Sequence, residues 1–85
     1  MLVKCYGSEF DIPDLLINKF VKDFEGLPGK GDREGLYELR NSVGDMFDFV
    51  AEDPEVLKER IYLSDFVKAL AIQQALSKLG ILFDA

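Results

Sequence analysis

Leu2-Val3-Lys4-Cys5-Tyr6-Gly7-Ser8-Glu9-Phe10-Asp11-Ile12 separates an α+β chain from an all-helical one. Two runs with apolar residues, Leu2–Tyr6 and Glu9–Ile12, flank Gly7-Ser8. Glycine accepts positive φ without a Cβ clash. Gly7 as the first central residue therefore predicts a type II′ turn and an antiparallel hairpin. An extended or amphipathic segment is the alternative, and it would leave an all-α bundle with a frayed N-terminus.

Everything after the hairpin reads as helix. Pro13 suits a first helical turn, where its missing N–H costs nothing, and Asp14 adds a favourable charge at the positive end of the helix dipole. Ile17, Phe20, Val21, Phe24 and Leu27 recur at helical spacing and form one apolar stripe. Gly26 and Pro28 end that helix. Residues 26–32, Gly-Leu-Pro-Gly-Lys-Gly-Asp, read as a loop, because three glycines and a proline leave no regular structure. The loop joins helices of one domain or serves as a mobile tip that touches a partner.

A second helix is predicted from about Arg33 to Ala51. Asp53-Pro54-Glu55 then offers a cap, a proline at the first helical position and a first-turn acid. A short third helix follows, carrying Val56, Leu57 and Ile61. Ser64 is the expected cap of a fourth helix, with Asp65 in its first turn. That helix runs through Phe66, Leu70, Ile72, Leu76 and Leu79 to Gly80, a good residue for a helix end. Only Gln73, Gln74 and Lys78 leave a wet strip, so the helix is central to the fold or partly covered by another chain. The last residues, Ile81 to Ala85, are too apolar to hang free. They pack back as a third strand beside the hairpin, or they dock on a second copy.

Composition bounds the function. Eighty-five residues make one domain, residues 1–85, and 48% apolar content is too much for disorder. Sixteen acids against ten bases give a charge of −6. That balance argues against direct nucleic-acid binding, which needs a basic face. The N-terminus has neither the basic start nor the apolar run of a signal peptide, and no run approaches the roughly 20 residues of a membrane span. The expectation is a cytoplasmic protein that does not engage membranes, with Cys5 as a reduced, strand-packed thiol.

Motifs that carry chemistry fail on their spacing. Gly26 and Gly29 are too close for a phosphate-binding loop, and Lys30 is followed by Gly31 rather than by a hydroxyl. A calcium loop drawn from Asp23 to Glu34 puts Leu27 at a ligand position and Pro28 where glycine is needed. With no histidine and one cysteine, neither a transition-metal site nor an imidazole base can be assembled. No catalytic residue, metal ligand or cofactor is expected.

The second helix carries the one pattern with a functional reading. On a wheel of about 100° per residue, Leu36, Leu39, Val43, Met46 and Val50 fall within roughly 80° of one another. They form a core stripe or, in the alternative, a dimer seam. Opposite lie Glu34, Glu38, Asn41, Asp45, Asp48 and Glu52, uninterrupted by lysine or arginine, with Tyr37 and Phe49 on the borders and Arg40 away from the strip. Glu34 with Glu38, Asp45 with Asp48, and Asp48 with Glu52 are like charges at neighbouring helical positions. Each such pair costs an isolated helix about 0.2–0.5 kcal/mol. Solubility alone is better served by mixed signs, although a solvated face of an acidic protein looks the same.

These readings converge on an α+β fold: an N-terminal β-hairpin followed by three to four packed α-helices. The expected function is a non-enzymatic protein-binding module. It would dock Glu34, Tyr37, Glu38, Asp45, Asp48, Phe49 and Glu52 on a basic surface of a target protein. Inhibitors, immunity proteins and phage-encoded antagonists belong to this class, and a nucleic-acid-binding protein is one such target. The alternative is a homo-oligomer, a dimer for instance, or an assembly component joined through the fourth helix and the tail.

Overall fold

A computed structural model describes residues 1–26 and 30–80, with the backbone alone over 30–34. Strands β1 (Leu2–Cys5) and β2 (Ser8–Asp11) form a two-stranded antiparallel sheet. Helices α1 (Asp14–Glu25), α2 (Lys30–Glu52) and α3 (Arg60–Lys78) follow, with a 3-10 turn at Pro54–Lys58 between the last two. The fold is α+β, a hairpin on a helical layer, and the all-α alternative is set aside.

The hairpin turn differs from its expected form. Its central residues are Tyr6 and Gly7, both at positive φ (51° and 76°), so the turn has the type I′ signature rather than type II′ over Gly7-Ser8. Val3 then pairs with Phe10, and Lys4 with Glu9. The first pair faces the core. The second faces solvent, where Lys4 Nζ lies 3.4 Å from Glu9 Oε1. The turn also puts Tyr6, expected on a strand, at the tip.

Helix α1 forms as its capping residues imply, with Pro13 before its first residue and Gly26 after its last. Ile17 is its buried anchor, and Phe20, Val21 and Phe24 are half-buried beside it. Leu27, assigned to the same stripe, lies outside the described residues. Helix α2 starts earlier than expected. Lys30, Gly31 and Asp32 are helical, Gly26 is a turn after α1, and residues 27–29 of the expected loop lie outside the described residues. A glycine in a helix costs only about 1 kcal/mol, which a helix held by tertiary packing tolerates.

The segment after α2 departs from expectation in two places. Asp53 does cap, accepting the Glu55 N–H at 3.2 Å, but the following turn is a five-residue 3-10 helix that stops at Glu59. Glu59 is extended (φ −85°, ψ 127°), and its carbonyl accepts the Leu63 N–H at 3.0 Å. It therefore takes the capping position expected of Ser64. Ser64 and Asp65 fall inside α3, and Ile61 belongs to α3 rather than to the preceding helix. A backbone carbonyl in extended geometry starts the helix here without a side-chain cap, which sequence inspection does not reveal.

Helix α3 is the centre of the molecule and packs on α1, α2 and the 3-10 turn. Ala69, Ala71 and Ala75 are buried along it, so neighbouring backbones approach closely. Phe66 is fully buried and gathers three rings: Phe10 at 5.3 Å and Phe47 at 5.7 Å, both edge-on, and Tyr6 at 5.9 Å. One side chain thus ties the hairpin tip, β2 and α2 to α3. The inner stripe of α2 is spent on this core. Leu36, Val43 and Val50 are buried and Leu39 and Met46 half-buried, against α3 residues such as Ile72 and Leu76. The tail, Ile81 to Ala85, lies outside the described residues.

Candidate functional site

Burial of one face of α2 dictates what the other face shows. Glu38, Asp45, Asp48 and Glu52 are all exposed, with Asn41 between them. Glu34 belongs to the helix, but its side chain is not described. Among the described residues, ion pairs join the Met1 amine to Asp11 and Asp14, Lys4 to Glu9, and Lys58 to Glu55. None of them uses a carboxylate of the α2 strip. The last turn of α2 carries no basic residue. Its unpaired carbonyls, Glu52 and the adjoining Asp53 therefore concentrate negative potential at that end.

The aromatic borders behave differently from each other. Tyr37 is exposed and lies under the Arg40 guanidinium, whose central carbon is 5.3 Å from the ring centroid. A cation thus reaches the border of the strip at its N-terminal half, although the wheel sets Arg40 apart. Phe49 packs on Tyr62 of α3, with ring centroids 5.5 Å apart, and remains 43% exposed. Ile61, next to Tyr62, is 68% exposed.

The strip therefore resolves into two halves. Glu38 sits with the Tyr37–Arg40 pair. Asp45, Asp48 and Glu52 sit on the helix that presents Phe49 to Tyr62. Tyr62 and Ile61 escape a helix-by-helix reading because they come from another element. An aromatic at the start of a central helix, on no core stripe, was the available signal.

The hairpin tip meets this surface. The Tyr6 hydroxyl donates to the Phe47 carbonyl oxygen at 3.0 Å. Burial first, and then the charges of Cys5 and Asp48, push that hydroxyl above its ordinary pKa. Burial likewise pushes the Cys5 thiol up, which makes it a poor nucleophile.

A groove of about 340 Å³ separates β1 from α2 and α3, lined by Val3, Cys5, Phe47, Phe66, Leu70 and Gln73 among others. It contains no carboxylate. Among the described residues, no group of three or more His, Cys, Asp or Glu side chains could hold a metal ion. No helix among them is long and apolar enough to cross a membrane. No family model matches the chain, and neither a curated protein sequence nor a solved structure matches it.

Proposed function

We propose that this chain is a small cytoplasmic protein-binding module that docks the outer face of α2 on a basic surface of a target protein. One observation carries the reading. The exposed carboxylates of α2 make no ion pair among the described residues, and they adjoin Phe49, which stays 43% exposed while packing on the half-buried Tyr62. Like charges on one helix face lower stability, and a basic partner would convert that loss into attraction. The rings supply apolar area that charge alone does not. Occupying a basic surface in this way is how an inhibitor or antagonist, phage-encoded or of the immunity type, would act. If the covered surface normally binds nucleic acid, the carboxylates stand where phosphates would.

The competing reading is a homo-oligomer. It would be joined through α3, the tail or the α2 seam, and of these the α2 seam is spent on the chain's own core.

The test is capture of partners from native lysate by the chain and by a Glu38→Lys/Asp45→Lys/Asp48→Lys variant, after circular dichroism has shown that both fold. Loss of one basic partner with the variant, and weakening of that capture as salt rises, supports the proposal. Identical capture by both forms overturns it.

A further inference from the structure

Phe49 stands on α2 one helical turn after Asp45 and one turn before Glu52. Those spacings put the three side chains on one side of the helix, with neighbours about 5–6 Å apart at Cβ. Tyr62, whose ring centroid is 5.5 Å from that of Phe49, stands one turn before Asp65 on α3. Asp45, Glu52 and Asp65 are exposed, and none of them joins an ion pair among the described residues. Two helices thus bring two rings together and set three carboxylates beside them.

The chain's own cations are placed elsewhere. Lys58 pairs with Glu55, Arg40 lies over Tyr37, and Arg60 is about 200° round α3 from Tyr62. Among the described residues, no cation lies over Phe49 or Tyr62. Ile61, beside Tyr62, is 68% exposed and extends the apolar surface.

The other aromatic border of the strip shows what such a ring takes. The central carbon of the Arg40 guanidinium is 5.3 Å from the Tyr37 ring centroid, inside the roughly 6 Å reach of cation–π attraction. Tyr37 receives its cation from its own helix. Phe49 and Tyr62 have the carboxylates and no cation.

A guanidinium suits this place better than an ammonium. It is planar and weakly hydrated, so it stacks on a ring face and still turns its N–H groups outward to carboxylates. Its aliphatic stem covers apolar surface. A lysine ammonium is a compact, strongly hydrated charge that stacks less well.

We infer that the partner of the α2 face inserts an arginine at the Phe49–Tyr62 pair. Its guanidinium lies on the rings, its N–H groups donate to carboxylates among Asp45, Glu52 and Asp65, and its stem runs along Ile61. The inference rests on the proposed docking face and names the side chain that anchors there.

Blocked hexa-arginine and hexa-lysine peptides, equal in charge, test it by NMR titration of the full chain. Hexa-arginine should bind at least about threefold more tightly and should shift the ring signals of Phe49 and Tyr62. A Phe49→Leu/Tyr62→Leu variant, shown by circular dichroism to fold, should bind the two peptides equally, with its hexa-lysine affinity changed less than about twofold. If that variant unfolds, the ring shifts of the unsubstituted chain decide. Equal binding of both peptides, each lost in the Glu38→Lys/Asp45→Lys/Asp48→Lys variant, overturns the arginine anchor and leaves the docking face standing. An arginine preference that survives the leucine variant, or that leaves the two rings unshifted, also overturns the anchor. Failure of either peptide to shift any α2 signal overturns the anchor and the docking face together.

Discussion

The Tyr6 hydroxyl and the Phe47 carbonyl oxygen, 41 residues apart in the chain, meet at 3.0 Å. This bond fastens the hairpin turn to α2, and the Tyr6 ring rests on Phe66 beneath it. It explains why a tyrosine holds φ +51°, a conformation that costs an L-residue roughly 1–2 kcal/mol. Tertiary contacts at the turn offset that cost.

Tyr6→Phe removes only the hydroxyl and should lower stability by about 0.5–1.5 kcal/mol. Tyr6→Ala also loses the ring contact and should cost more. Tyr6→Asn should fall between them, because asparagine tolerates positive φ but reaches neither Phe47 nor Phe66. Urea unfolding midpoints for the three variants give the order.

Phe66 is the shared neighbour of Tyr6, Phe10 and Phe47. Phe66→Ala should cost about 3–5 kcal/mol, a large part of the stability of a domain this small. Phe66→Leu keeps most of the volume and should cost markedly less. Thermal melts read by circular dichroism separate the two, and equal melting temperatures would contradict the central place given to this ring.

Two glycines should respond with opposite signs. A Cβ at Gly7 or at Gly44 meets nothing within 4 Å, so sterics with neighbours decide neither case. Gly7 sits at φ +76°, and Gly7→Ala should destabilise by about 1–2 kcal/mol. Gly44 is inside α2, and Gly44→Ala should stabilise by about 0.5–1 kcal/mol. Denaturant titration of the pair tests both signs at once.

Stability should fall in alkali for a defined reason. The Cys5 thiol and the Tyr6 hydroxyl lie above their ordinary values of 9.0 and 10.0 in the folded chain, chiefly through burial. The unfolded chain ionises both groups first. Stability present below about pH 9 is therefore lost as pH rises through the folded-state values. A Cys5→Ala/Tyr6→Phe double variant should show a flatter decline in its urea midpoint over the same range.

Asp48 is a like-charge neighbour of both Asp45 and Glu52. Asp48→Asn should raise stability by roughly 0.5 kcal/mol at low salt, and the gain should shrink as salt screens the helix surface. A variant that is more stable yet captures less partner would show that the strip trades stability for binding.

Much of this architecture is legible in the sequence. The alternating run before Pro13 marks a hairpin, and the stripes of α1 and α2 mark their buried faces. Ile17, Leu36, Val43 and Val50 are buried as those stripes require. The turn lies one residue earlier than expected, because Gly7 fits either central position. Phe10 opposite Val3, and Tyr6 against Phe47 and Phe66, select the register, and those contacts come from other elements. The start of α3 departs from expectation for a similar reason. Ser64 looks like a cap, but the chain becomes extended at Glu59, where the 3-10 turn ends. For the candidate site, the exposed carboxylates were evident from the wheel, whereas the Phe49–Tyr62 pair and the approach of Arg40 to Tyr37 were not.

The sequence by itself determined the class of fold, the presence of α1, α2 and α3, and the inward faces of α1 and α2. These follow from periodicity and from residues such as Pro13, Gly26 and Gly80, whose effects are local. Only the tertiary structure decided the turn type, the path from α2 into α3, and which aromatic from α3 completes the acidic face. Those features are selected by contacts between residues distant in the chain. Local backbone preferences differ there by only about 1–2 kcal/mol, small enough for packing around Phe66 to override.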